Sequence, residues 1–200
     1  MAKFAPQKLV TPSADTLAST AKAASKRGPA PVHLWNPPFC GDIDMEIRRD
    51  GTWFYLGTPI GRPALVRLFS TILKREGDAY FLVTPVEKVG IRVEDAPFLA
   101  TDFTVSTESG AQTLTFTTLT GDVVTADAAH PIRVVRDPGS GEPAPYVLVR
   151  ANLEALIDRK SFYRLVDLGE EAELDGTLWF GVRSAGSFSP IIPAAELDGL

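Results

Sequence analysis

The chain has 200 residues, of which 44% are hydrophobic and 22% charged, a globular composition that excludes a disordered or fibrous protein and leaves room for one large domain or two small ones. The formal net charge is −5; because Lys3, Lys8, Lys22, Lys26 and Arg27 face only Asp15 within the first 27 residues, the remainder carries −9. An acidic body repels phosphate backbones, so no nucleic acid is expected as a partner, although a local cluster of arginines still suits one small anion.

Ser13 to Arg27, SADTLASTAKAASKR, opens on an N-cap residue, is rich in alanine and stops at Gly28 before Pro29 and Pro31, which predicts a peripheral helix. Leu17, Ala21 and Ala24 form a thin apolar stripe, too narrow for stable membrane association. No apolar run approaches the ~18 residues that a bilayer span requires, and the first residues lack the apolar block of a secretory signal. A single cysteine, Cys40, excludes an internal disulfide and agrees with a cytoplasmic location.

From Ile43 the period changes to two: Ile43, Met45 and Ile47 point one way, and Asp42, Asp44, Glu46 and Arg48 the other. Asp50-Gly51 then supplies a tight-turn dipeptide, and Thr52 to Leu56 completes a hairpin. Pro63 suits the first turn of a helix, and Leu65, Leu68, Phe69, Ile72 and Leu73 recur at helical spacing. Burying five such side chains is worth roughly 1.5–3 kcal/mol each and outweighs the marginal stability of so short a helix. Gly77 is expected to end it, and AYFLVT to return as a strand. Val89, Ile91 and Val93 share a face, Asp95-Ala96-Pro97 marks a domain boundary, and Thr101–Thr107 and Gln112–Thr118 read as meander strands around Glu108-Ser109-Gly110. Leu178–Arg183 reads as the last strand, followed by a loose tail, LDGL.

LKREGDAYFLV, Leu73 to Val83, is echoed by IDRKSFYRLV, Ile157 to Val166. Setting Leu73 against Ile157 brings Phe69 onto Leu153 and Ile72 onto Leu156; further upstream, Arg49-Asp50 faces Arg136-Asp137. The predicted fold is therefore β-rich α+β, two small domains built from a duplicated strand-hairpin-helix-strand unit. A peripheral helix and linker occupies residues 1–28, and the domains occupy 29–95 and 96–200. A groove between such domains is a common place for a small ligand.

Asp42, Asp44 and Glu46 on one strand face are a candidate for a hard cation, but their spacing is not that of an EF-hand loop, and an acidic solvent face is the plainer reading. No metal and no cofactor is expected. His33 and Cys40 are a nearby thiol and imidazole, but Cys40 precedes an acidic strand rather than a cationic setting, so loop packing is favoured over catalysis. His130 before Pro131 reads as a structural turn residue. GTPIGRP lacks the Lys-Ser/Thr of a phosphate-binding loop, and no acyl-transfer, dinucleotide or zinc-protease motif is present. What remains is a set of cations and aromatics attached to the repeats: Trp53, Tyr55, Arg62, Arg67 and Arg75 in the first, Arg150, Arg159, Tyr163 and Arg164 in the second. Guanidinium forks match anionic oxygens and flat rings stack a base, so these residues are the candidate ligand site.

The runs VHLWNPPFCGDIDMEI, DGTWFYLGTPIGRPALVRLFSTILKREGDAYFLVTPVEKV and GEPAPYVLVRANLEALIDRKSFYRLVDLG resemble the proteobacterial domain-of-unknown-function family 1285, and the similarity spans Pro31 to Leu168. That resemblance implies two related domains, the second superficially like a pleckstrin-homology fold, with a nucleotide-type ligand at their interface and a signalling role. The leading expectation is a non-catalytic sensor of a small anionic ligand. The alternatives are an enzyme acting on a phosphorylated metabolite, with Asp44, Asp78 or Glu87 as base, and a protein-interaction module using open strand edges.

Overall fold

The structure is a computed structural model that describes residues 13–24, 30–108, 110–139 and 141–199. Contacts divide the chain into two compact units: one runs to Glu46 and resumes over Phe54–Arg92, and the other joins Ile47–Trp53 to Val93–Leu200. The fold is strand-rich α+β with three α-helices among the described residues, and none of its helices is long and apolar enough to cross a membrane.

The N-terminal helix α1 spans Ala14–Ala24; the predicted continuation to Arg27 lies outside the described residues. Its start is fixed by reciprocal capping, in which Ser13 N donates to Thr16 Oγ1 at 3.1 Å and Thr16 N to Ser13 Oγ at 3.3 Å. Leu17 and Ala21 are fully buried and α1 packs against helix α2, Pro63–Thr71.

The first unit is built on a six-stranded sheet of β1 (Phe39–Ile47), β2 (Trp53–Tyr55), β3 (Thr58–Pro59), β4 (Leu73–Glu76), β5 (Ala79–Val83) and β6 (Lys88–Val93), in the order β3-β2-β1-β6-β5-β4. Ile43, Met45 and Ile47 are buried while Asp42 and Asp44 are exposed, as the alternation requires. The helix is shorter than its periodicity suggests: it stops at Thr71, and Leu73 opens β4, which pairs with β5 through Leu73↔Leu82 and Arg75↔Tyr80. Gly77, with φ of +59°, turns this hairpin and does not cap a helix. ILKRE satisfies both periods, and pairing with the β-rich YFLV outweighs one more helical turn.

The second unit repeats the plan with β7 (Phe98–Glu108), β8 (Ala111–Thr118), β9 (Val123–Thr125), β10 (Ile132–Arg136), β11 (Pro143–Arg150) and β12 (Leu153–Ile157), ordered β10-β11-β12-β7-β8-β9. Renumbered from its own first strand, this order is the same as in the first sheet: two three-stranded meanders joined where the first strand lies beside the last. The duplication is therefore real in topology but not in the predicted register. Leu73 opens the fourth strand of its sheet, so its counterpart is Ile132, which opens β10, and not Ile157, which closes β12. Leu153–Ile157, expected to be helical, is a strand, and the helix α3 follows it over Arg159–Val166. Arg49-Asp50 turns between the first and second strands of its sheet and Arg136-Asp137 between the fourth and fifth, so these dipeptides are not equivalent.

A third sheet of β13 (Glu170–Leu174), β14 (Thr177–Ser184) and β15 (Ser187–Pro193) completes the second unit. Leu178–Arg183 is thus not the last strand, and Leu197–Gly199 belong to a 3-10 helix and not to a loose tail. Buried Ser184 joins this sheet to the second one: its Oγ accepts from Leu114 N at 2.9 Å and donates to Ala126 O at 2.6 Å. In α3, by contrast, Ser161 Oγ is buried with no hydrogen-bond partner.

These two serines are expected to respond oppositely to loss of the hydroxyl. Ser184→Ala leaves buried backbone groups unpaired and should lower stability by about 1–3 kcal/mol, whereas Ser161→Ala removes an unsatisfied group and should be neutral or stabilising by up to ~1 kcal/mol. Urea unfolding of both variants measures the contrast.

Candidate functional site

A cavity of about 460 Å³ opens in the second unit where three segments meet: the Arg49-Asp50 turn, the start of β11 at Glu142–Pro145, and the β12–α3 junction from Leu156 to Tyr163. The junction is tight. Asp158 N donates to Ala100 O at 2.9 Å, extending the sheet by one bond, while the Asp158 side chain caps α3 by accepting from Ser161 N at 2.8 Å. Arg159 and Tyr163 are consequently four residues apart on one helical face. Arg159 Nε donates to the Tyr163 hydroxyl at 3.0 Å, and Tyr163 is 56% exposed. Below them Leu156, Ala96 and Tyr146 form a buried cluster against which Leu99 and Ala144 pack, giving the cavity an apolar floor.

Arg49 is held from two sides. Its backbone N donates to Glu94 Oε2 at 2.9 Å and its Nε lies 3.2 Å from Asp95 Oδ2. Asp95 also accepts the Tyr146 hydroxyl at 2.7 Å, and the Arg133 guanidinium sits 4.4 Å from the Tyr146 ring while pairing with Glu154. Burial first, and the bond to Asp95 second, push the Tyr146 phenol up to about 12. The Asp50 carboxyl is held below its ordinary value, mainly by accepting from Thr52 N, which closes the turn. A second cavity of about 410 Å³ shares Arg49, Glu142, Pro143 and Ala144 with the first.

Of the residues expected to bind ligand, the structure brings Arg159 and Tyr163 together in this cavity. Arg150 is engaged by Asp122 and lies 4.7 Å from the Phe98 ring; Arg164 pairs with Asp102, donates to Phe103 O and lies 4.5 Å from the Phe103 ring. Both brace the second sheet. Arg75 folds back on its own hairpin, donating to Gly77 O and Asp78. Trp53 is only 2% exposed, so its faces are packed in protein and not offered to a base. Arg67 is exposed on α2, and Tyr55 and Arg62 line a separate cavity of about 340 Å³ in the first unit.

The residues that sequence reasoning passed over are Arg49, Asp50, Glu142, Asp158 and Phe162. Asp158 carries a signal, an N-cap aspartate three residues before Ser161, which the likeness of IDRK to the LKRE segment conceals. Elsewhere, Asp44 and Glu46 are bridged by Arg92 at 2.8 and 3.7 Å, and no group of ligating side chains among the described residues is arranged to hold a metal. Cys40 is exposed and donates to Pro38 O, and His130 pairs with Asp127 across its turn at 3.0 Å. Of the candidate bases, Asp44 and Asp78 are ion-paired, and burial raises the Glu87 carboxyl.

Two family models match the chain: "Domain of unknown function (DUF1285), N-terminal domain" over residues 30–96, and "Protein of unknown function (DUF1285), C-terminal domain" over residues 97–191. The chain is similar to the crystal structure of a DUF1285 family protein from Silicibacter pomeroyi DSS-3, with 64% identity, 91% of this chain and 97% of that chain covered, and a TM-score of 0.81. It is also similar to a DUF1285 family protein from Shewanella baltica OS155, with 30% identity, 62% and 90% coverage and a TM-score of 0.49. No curated protein matches.

The Tyr146 phenol has a pH signature. Its folded value, about 12, lies above the ordinary 10.0, so the stability it contributes is fully present below pH 10 and is lost as pH rises from 10 through 12, because the unfolded chain releases the proton first. Unfolding followed against pH should show this decline, and Tyr146→Phe should flatten it.

Proposed function

The chain belongs to the DUF1285 family, and on that premise we propose that it is a non-catalytic binding protein for a small anionic, nucleotide-type ligand. The ligand sits in the second-unit cavity, with its anionic group on Arg159 and its ring against the apolar floor. The observation that carries this reading is the Arg159–Tyr163 pair: a guanidinium steered by a hydroxyl at 3.0 Å, beside a half-exposed ring, at the mouth of a cavity of about 460 Å³. The volume is that of a small-molecule site, and its lining combines apolar side chains with charged ones able to orient a ligand. Arg49 offers a second guanidinium already oriented by Asp95, so little rotamer freedom is lost when an anion arrives.

Recognition rather than turnover is favoured by how Asp50 and Asp158 are used. Asp50 closes its turn and Asp158 caps α3, and an acceptor already committed to backbone N–H groups is a poor general base. Binding of the ligand to the folded state alone stabilises that state against unfolding, which makes binding readable without turnover.

Thermal unfolding against a nucleotide panel tests the site. A ligand at a hundredfold excess over its Kd stabilises by about 2.7 kcal/mol, several degrees in Tm for a chain of this size. Arg159→Ala should remove the shift and Arg49→Ala should reduce it, whereas Arg62→Ala should leave it intact. A shift that survives Arg159→Ala and disappears in Arg62→Ala would move the site to the first unit.

A further inference from the structure

Strand β7 runs well past the strand that lies beside it. β12 pairs with it only along Phe98, Leu99 and Ala100, and the ladder on that side ends with the bond from Asp158 N to Ala100 O at 2.9 Å. Further along, Phe103 is closed by side chains: its N–H donates to Asp102 Oδ1 at 2.8 Å and its carbonyl accepts from Arg164 Nη2 at 2.9 Å. Beyond Phe103, β7 continues to Glu108 with β8 as its one neighbouring strand among the described residues.

Which backbone groups this open edge offers follows from what β8 does with its own. In an antiparallel ladder, two residues opposite each other either exchange both of their bonds or both point away. Val105 is opposite Leu114, whose N–H donates to Ser184 Oγ at 2.9 Å and whose carbonyl accepts from Ala126 N at 2.9 Å. Thr107 is opposite Gln112, whose carbonyl accepts from Ala185 N at 2.8 Å. The N–H and C=O of Val105 and of Thr107 therefore point outward from the open edge, while Thr104 and Ser106 exchange theirs with Thr115 and Thr113. Thr104, Val105, Ser106 and Thr107 are all exposed, Val105 to 48%. Sheet edges are ordinarily protected by lysine, proline, a charge or a covering segment, and these four residues include no lysine, proline or charge.

We propose that this edge of β7 is a pairing surface for a second copy of the chain, the two β7 strands running antiparallel about a two-fold axis at Ser106. The pattern of outward groups is self-complementary. Val105 of each copy exchanges both of its bonds with Thr107 of the other, so four bonds form and every outward group of these residues is used. The register is fixed by the same groups. A slip that sets Val105 against itself brings Thr107 onto Phe103, whose N–H and C=O are already taken by Asp102 and Arg164, and the opposite slip sets Val105 against a position past the end of β7. Four uncharged residues also bring no like charges together, as a self-contact of a chain with net charge −5 requires. The small hydroxyl side chains select no particular foreign side chain, whereas the spacing of outward groups selects its own copy. So short an edge buries well under the about 800 Å² per partner of a stable interface, which makes the dimer weak and concentration-dependent. The contact uses no residue of the second-unit cavity and is independent of the binding reading.

Sedimentation of the full chain from micromolar to millimolar concentration should show a monomer–dimer equilibrium, with amide exchange at Val105 and Thr107 slowing as concentration rises. Val105→Pro withdraws a donor that β8 does not use, so the β7–β8 hairpin is kept, but the dimer loses two of its four bonds and its Kd should rise about tenfold. Ser106→Lys sets two ammonium groups opposite each other at the axis and should leave a monomer, and mixing it with Ser106→Glu should restore association as a heterodimer. Should Val105→Pro lose its fold, the lysine and glutamate variants decide alone. A monomer at every concentration overturns the proposal, and so does a dimer that survives both Val105→Pro and Ser106→Lys unchanged. A synthetic peptide of residues 102–107 that slows exchange at Val105 and Thr107 in a chain that itself stays monomeric also overturns it, and makes the edge a site for a foreign strand.

Discussion

The parallel contact between β12 and β7 is the constraint on which the second unit depends. Ala155, Leu156 and Ile157 lie beside Phe98, Leu99 and Ala100, so the last strand of the sheet runs in the same direction as the first. Antiparallel neighbours can be joined by two-residue turns, but a parallel pair requires the chain to travel right round the sheet before the contact forms. The four strands between them supply that path. When β12 arrives, Asp158 N continues the ladder onto Ala100 O and the chain enters α3 without a linker. The first turn of that helix is thereby placed over the end of the sheet, which sets the orientation of Arg159 and Tyr163.

The same contact explains how the arginines are used. A guanidinium is planar, permanently charged and able to stack on a ring while its edge pairs with a carboxylate. In the second unit Arg150 does so with Phe98 and Asp122, Arg164 with Phe103 and Asp102, and Arg133 with Tyr146 and Glu154. Arg150 reaches β7 from β11 and Arg164 from α3, while Arg133 ties β10 to β11 and β12. Arginine in this protein is first a structural cross-brace. Arg159 differs because it projects from the first helical turn, beyond the sheet, where its nearest partner is a hydroxyl four residues on.

Glu94 and Asp95, which the sequence presents only as the approach to a domain boundary, orient Arg49 from two directions, and Asp95 is shared with a buried phenol. The cavity wall is thus held by a network of hydrogen bonds and an ion pair. Such a network keeps its geometry without a ligand, so the site is largely formed before anything enters it.

The amino-acid sequence by itself determined the strand-rich α+β class, the N-cap of α1, the half-buried face of Ile43, Met45 and Ile47, and the fact of duplication, since these follow from local periodicity, capping chemistry and repeated composition. It placed the repeat in the wrong register because an apolar face at Leu73 and one at Ile157 read alike, although one opens a strand and the other closes one. Whether ILKRE continued a helix, whether Trp53 faced a ligand or the core, and which arginines were braces were decided only by strand pairing between segments far apart in the chain. The meeting of Arg49, Glu142 and Arg159 belongs to the same class. Residues about 90 and 110 positions apart have no local signal of contact, and the hold of Glu94 and Asp95 on Arg49 together with the pairing of β12 and β7 brings them to one cavity.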